Sequence, residues 1–129
     1  MEFSVVEQLV LKHQTPVLFL SLNRLRETYR ELASALPGVA LYYAVKSNSN
    51  PEIINVLNNE DSCFDVCSNG EIDILKKCGI TADRCIHTHP IKRDSDIRYA
   101  LDYGVPIFVV DNEDELLKLL PYKDKLRVL

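Results

Sequence analysis

Lys46 is the first residue whose type and place suggest chemistry, because it closes the run Tyr42-Tyr43-Ala44-Val45. Side chains alternate faces along a strand, so Lys46 shares a side with Tyr42 and small Ala44. An amine at the C-terminal end of a parallel strand is placed for imine chemistry, although most strand-end lysines are simply solvated. In Cys63-Phe64-Asp65-Val66-Cys67, Asp65 faces away from Phe64 and Val66 and so toward the interior that Lys46 faces. A carboxylate there can hold an ammonium group or pair with a cofactor. Glu71 falls one turn into the following helix, where a capping box with Ser68 already accounts for it.

His87 and His89 form an HxH whose two imidazoles can reach one metal ion. No further ligand completes a coordination shell, so polar histidines at a strand end facing a cavity are the plainer expectation. Cys63, Cys67, Cys78 and Cys85 lack the paired spacing of a zinc ribbon and the density of a disulfide framework, and free thiols are expected. The sequence has no GxGxxG, no Walker loop and no GxSxG, which removes the usual dinucleotide, nucleoside-triphosphatase and hydrolase signatures.

These residues need a scaffold, and 129 residues with 47% hydrophobic and 26% charged side chains suffice for one folded domain. Fifteen basic against nineteen acidic residues give a net charge of −4, which disfavours nucleic acid and anionic lipid as partners. The apolar runs are too short to span a membrane, and a cytoplasmic protein is expected. Val5, Val6, Leu9 and Val10 have helical spacing, Val17 to Leu20 reads as a short strand, and Leu22 to Leu36 reads as an amphipathic helix stopped by Pro37-Gly38.

From Val39 a strand–helix unit recurs. Val39 to Val45, Cys63 to Val66, Cys85 to Thr88 and Ile107 to Val110 are strands, each followed by a helix, and Leu126 to Leu129 begins a fifth. Ser68, Ser95 and Asp111 are the expected helix caps, with Gly79 and Gly104 at helix ends. Such alternation implies an α/β fold with parallel strands, either a doubly wound open sheet or part of a (β/α)8 barrel.

Tyr42-Tyr43-Ala44-Val45-Lys46-Ser47-Asn48 resembles the cofactor-lysine motif of the fold-type III pyridoxal-phosphate decarboxylases that act on ornithine, lysine or diaminopimelate, with the ornithine group nearest. Phe64-Asp65-Val66-Cys67-Ser68-Asn69-Gly70-Glu71-Ile72 is similar to that family's F-D-x-x-S-x-x-E-I. His89-Pro90-Ile91-Lys92 is similar to its N-P-x-K, with His89 in place of Asn. The resemblance runs from Thr15 to Leu129 with every motif in order.

It implies the first half of a (β/α)8 barrel: residues 39–129 supply four βα units and a fifth strand. Residues 1–38 supply a helix, a linking helix and, at Val17 to Leu20, a strand of a second β domain. It further implies pyridoxal 5'-phosphate as cofactor, with Lys46 as the catalytic lysine that carries it and Ala44, Asp65 and Glu71 beside it. The reaction would turn a basic amino acid into a diamine for polyamine biosynthesis, in a cytoplasmic homodimer. The family's late glycine-rich phosphate loop, its acid on the pyridine nitrogen and its partner-subunit cysteine loop have no counterpart among these residues, so the chain alone is expected to be inactive and to self-associate. A non-catalytic regulatory homologue and a small doubly wound binding domain are the alternatives.

Overall fold

The computed structural model describes residues 3–129. Two helices lead, α1 (Phe3–His13) and α2 (Leu22–Ala35), and then strands and helices alternate. Their order is β1 (Tyr42–Ala44), α3 (Pro51–Asn58), β2 (Cys63–Val66), α4 (Asn69–Lys77), β3 (Cys85–His87), α5 (Asp94–Tyr103), β4 (Ile107–Phe108), α6 (Glu113–Leu119) and β5 (Arg127–Val128). The strands form one sheet in the order β1-β2-β3-β4-β5, and every neighbouring pair is parallel. Each strand thus lies beside its predecessor in sequence, as successive right-handed crossovers require.

One face of the sheet is packed. Register pairs Phe64 with Cys85 and Val66 with His87, and His87 with Phe108, so these five side chains share a side and all are buried. Against them lie Ile54 and Leu57 of α3, Ile72 and Leu75 of α4, Ile97 and Ala100 of α5 and Leu119 of α6. In α3, α4 and α5 the apolar spacing places one stripe on the sheet and leaves the polar stripe to solvent, whereas α6 buries Glu115 and exposes Leu116 and Leu117. On the opposite face Tyr42, Ala44, Cys63, Asp65 and Ile107 are only half-covered.

Local signals set the helix boundaries. Asn50 caps α3 by accepting from the Glu52 N–H at 2.9 Å, and Pro51 occupies the first turn where its missing N–H costs nothing. Gly104 ends α5 with φ of 103°, a left-handed conformation that a side chain resists. Two expected caps fall elsewhere. Asn112, not Asp111, caps α6, accepting from the Glu115 N–H at 2.9 Å. Ser95 lies inside α5, whose N-cap is Arg93 with no side-chain hydrogen bond.

Val17 to Leu20 is not a strand. The segment is irregular, with Val17 and Phe19 half-buried and Leu18 and Leu20 exposed. A strand needs a ladder partner, and the five-stranded sheet begins at Tyr42. Helix α2 is instead docked by charge: Arg26 Nε donates to Glu60 Oε1 at 3.1 Å, and Arg30 donates from Nε to Oε2 at 2.5 Å and from Nη2 to Oε1 at 2.9 Å. Among the described residues no helix is long and apolar enough to cross a membrane.

Candidate functional site

The segment after β1 turns sharply. Val45–Ser47 forms a single 3-10 turn, pinned by the buried Val45 side chain and by Ser47 Oγ donating to the Ala44 carbonyl at 2.8 Å. Lys46 therefore leaves the strand at its C-terminal end and is exposed. Strand parity does not place it, since it lies beyond the last ladder pair, Ala44 with Asp65. Tyr43 steadies the exit of the turn, its hydroxyl donating to the Asn48 carbonyl at 3.0 Å.

Lys46 Nζ approaches Cys67 Sγ at 3.8 Å. Cys67 Sγ in turn lies 3.5 Å from Thr88 Oγ1, and that hydroxyl donates to Asp65 Oδ1 at 2.6 Å. The amine and the carboxylate are thus joined through a thiol and a hydroxyl, across the C-terminal ends of three adjacent strands. Asp65 sits on the half-covered face as its parity requires. Partial burial raises its pKa above the usual carboxylate value, the Thr88 hydrogen bond and the Lys46 charge pull against that rise, and the Glu71 charge adds to it.

Glu71 is held by its own helix start. Ser68 Oγ accepts from the Glu71 N–H at 3.4 Å and donates to Glu71 Oε1 at 2.8 Å, while Oε2 accepts from the Cys67 N–H at 2.9 Å. The box closes one residue earlier than the usual form, on Cys67 instead of Ser68. Its consequence is local rigidity: the backbone that carries Cys67 toward Lys46 is tied to the first turn of α4. Ala44, half-buried, lies beside Asp65 on the same face.

The two histidines separate. His87 turns toward the helix layer, 1% exposed, its ring stacked on Phe108 with centroids 5.6 Å apart and planes 9° from parallel, at the edge of a cleft that His89 also lines. Burial first, and then the Lys92 and His89 charges, lower its pKa to about 4. His89 is exposed in the loop beyond β3, its Nδ1 accepting from the Ile91 N–H at 3.1 Å. All four cysteines are free.

Thr88 and Cys67 are the site residues that sequence reasoning gave no role. Parity offered the signal for Cys67, which follows Asp65 by two, and Thr88 follows Ile86, the register partner of Asp65, by two. Lys92 was visible only as part of a motif. It is fully buried, and Nζ donates to the carbonyls of His89 at 2.9 Å, Pro90 at 3.1 Å and Val109 at 2.8 Å, with Glu115 Oε2 3.8 Å away. Burial lowers its pKa against the raising charge of Glu115. Burial also pushes Glu115 upward, but Lys118, the Lys92 N–H and both lysine charges outweigh it and hold the carboxyl below the usual range.

A family model described as "Pyridoxal-dependent decarboxylase, pyridoxal binding domain" matches residues 22–129. The chain belongs to that family. Its relatives include the lysine/ornithine decarboxylase of Selenomonas ruminantium, 35% identical over 114 residues, covering 88% of this chain and 29% of the relative. The chloroplastic ornithine decarboxylase of Nicotiana glauca is 32% identical over 126 residues, covering 98% of this chain and 29% of the relative. Among solved structures, the Vibrio vulnificus lysine/ornithine decarboxylase complexed with putrescine is 43% identical with a TM-score of 0.92, covering 98% of this chain and 35% of that one. The SrLDC complex with PLP and cadaverine is 32% identical with a TM-score of 0.92, covering 100% of this chain and 34% of that one.

The chain thus spans 29% of the length of these curated relatives. Its five parallel strands and their helices are consistent with the first half of a (β/α)8 barrel. Pyridoxal phosphate is the cofactor of the family. The donor set here suits an aldehyde-bearing cofactor, since an exposed primary amine stands at the strand ends with a carboxylate linked to it.

Proposed function

We propose that the intact protein decarboxylates a basic amino acid, ornithine or lysine, to the diamine, with pyridoxal phosphate carried on Lys46. The observation that carries this reading is the Lys46–Cys67–Thr88–Asp65 chain at the C-terminal ends of β1, β2 and β3, where parallel α/β folds build their sites. The family match and the relatives that bear lysine and ornithine in their names support the substrate class. When bound, the cofactor supplies an electron sink for the pair left behind as carbon dioxide departs.

Lys46 holds the cofactor by its amine and is the group from which a proton can return. Asp65, with a raised pKa, exchanges a proton with the amine side of the site through Thr88 and Cys67. Glu71 fixes the loop that presents Cys67, and small Ala44 leaves space next to Asp65 for a planar ring. Residues 39–129 are the opening units of the barrel and residues 1–38 lead into it. The working assembly is a homodimer in the cytoplasm, a location that the four free thiols support.

The test is carbon dioxide release by the intact protein with ornithine, lysine or diaminopimelate. Turnover is expected with the first two, falling at least about a thousandfold in Lys46→Ala. Full turnover in Lys46→Ala, or turnover confined to diaminopimelate, would refute the proposal.

A further inference from the structure

Lys46 and Cys67 face each other from neighbouring strands. Each lies two residues beyond the last ladder pair, Ala44 with Asp65, so the register that ends β1 and β2 brings an amine opposite a thiol, with Nζ 3.8 Å from Sγ. Both backbones are pinned at that point. Ser47 Oγ donates to the Ala44 carbonyl on one side, and the Cys67 N–H donates to Glu71 Oε2 on the other. The gap is therefore closed by the lysine side chain, an exposed flexible stem that makes no ion pair among the described residues.

The direction of the hydrogen bonds leaves the sulfur open toward the amine. Thr88 has one hydroxyl proton, which goes to Asp65 Oδ1 at 2.6 Å, so the 3.5 Å contact between Cys67 Sγ and Thr88 Oγ1 is made by the thiol proton. The sulfur lone pairs then face Lys46, whose Nζ donates to Sγ. Removal of the thiol proton has a route as well: it passes to Thr88 as the hydroxyl proton passes to Asp65. Partial burial raises the pKa of that carboxyl and suits it to take a proton up.

Among the described residues the other three thiols meet no lysine amine. Cys85 is buried, donates to the Thr81 carbonyl at 3.7 Å and has its pKa pushed up to about 12 by burial, which leaves it inert. Cys67 is half-buried and lines a cleft of about 630 Å³ whose residues His89, Ile91 and Arg93 are exposed, so a small oxidant can reach the sulfur.

We propose that Lys46 and Cys67 form a reversible covalent bridge, a sulfenamide, when the protein meets a peroxide. The peroxide O–O bond breaks as it takes two electrons from the sulfur, Cys67 becomes a sulfenic acid, and one water leaves. The Lys46 amine, its extra proton lost to solvent, then attacks the sulfur: an S–N bond forms, the S–O bond breaks, and the departing hydroxide leaves as a second water with a proton from the nitrogen. A dithiol reverses the bridge by attacking the sulfur, which returns the amine and then the Cys67 thiol as the reagent closes to its own disulfide. The bridge ties up the amine assigned above to the cofactor, so its consequence for activity rests on that reading, whereas the bridge itself does not.

Peroxide treatment of the full chain without cofactor, followed by intact-mass measurement and peptide mapping, tests the bridge. The expected product has lost two hydrogens, about 2 Da, and yields one linked peptide pair that joins Lys46 to Cys67 and is released by dithiothreitol. Lys46→Arg and Cys67→Ser should each abolish the link, and in Lys46→Arg dimedone should trap the sulfenic acid at Cys67. The mapping is read on the wild type, so it decides even where a variant fails to fold. After peroxide, labelling of Lys46 by pyridoxal phosphate and borohydride should fall at least about tenfold in the wild type, recover with dithiothreitol, and persist in Cys67→Ser. Oxidation of Cys67 without a link to Lys46, a link that retains oxygen, a disulfide in its place, no oxidation of Cys67, or undiminished labelling of Lys46 would each overturn the proposal. A bridge that forms in a protein whose reduced, intact form releases no carbon dioxide would support the bridge and refute the decarboxylase reading.

Discussion

Burial of His87 against Phe108 makes this residue a source of acid sensitivity. Its folded pKa of about 4 lies below the unfolded value of 6.5, so on acidification the unfolded chain takes up a proton that the native state refuses. The sign follows: stability is intact above about pH 7, falls as pH drops through 6.5, and levels off below 4, with a total loss of about 3 kcal/mol. His87→Phe keeps the stacking volume and removes the titration. Urea unfolding at about pH 7.5 and about pH 5 should show the wild type losing roughly 2 kcal/mol more than the variant. Equal losses would show that His87 does not titrate as its surroundings imply. The sequence alone did not reveal which way this residue faces, for a physical reason. In β2 the contrast of Asp65 with Phe64 and Val66 marks the inner and outer sides, whereas Cys85-Ile86-His87-Thr88 alternates nothing clearly polar with anything clearly apolar.

At the scale of elements, the loops between strands and helices are tied by buried charge. Lys92 binds the carbonyls of His89, Pro90 and Val109, and so joins the β3–α5 connection to the end of β4. Lys92→Met fills similar volume but strands those carbonyls and weakens the partnering of Glu115, and it should cost about 3 kcal/mol in urea unfolding. A cost below about 1 kcal/mol would mean that water replaces the ammonium freely. The four helices after the first strand were legible from apolar spacing, and at α4 the capping chemistry agrees with it. Ser68 and Glu71 did what their spacing implied. At Asp111-Asn112 two adjacent residues can cap equally well, and the burial of Glu115 and Leu119 settles the phase of α6 in favour of Asn112. Val17 to Leu20 is irregular here because β-prone residues make a strand only beside a partner.

As a whole molecule, the chain presents a sheet packed on one side only. Strands β1 and β5 lie at its two edges, and Tyr42, Asp65 and Ile107 on the other face are half-covered. Unpaired strand edges next to partly covered apolar surface favour pairing between chains. Sedimentation velocity on the 129-residue chain should therefore show dimers or larger species at micromolar concentration, and a sharp monomer would refute this. Strand order and parallel pairing were legible from the recurring βα unit, because short crossovers leave few topologies. A doubly wound sheet remained open at that level, since periodicity reports elements and not closure.

Lys46 is the residue proposed to carry the cofactor. Incubation of the intact protein with pyridoxal phosphate, borohydride reduction and peptide mass mapping tests it directly. A single pyridoxyl adduct on Lys46, reduced in Asp65→Ala, is the predicted result. An adduct on another lysine, such as Lys92 or Lys118, with Lys46 unmodified, would contradict the account.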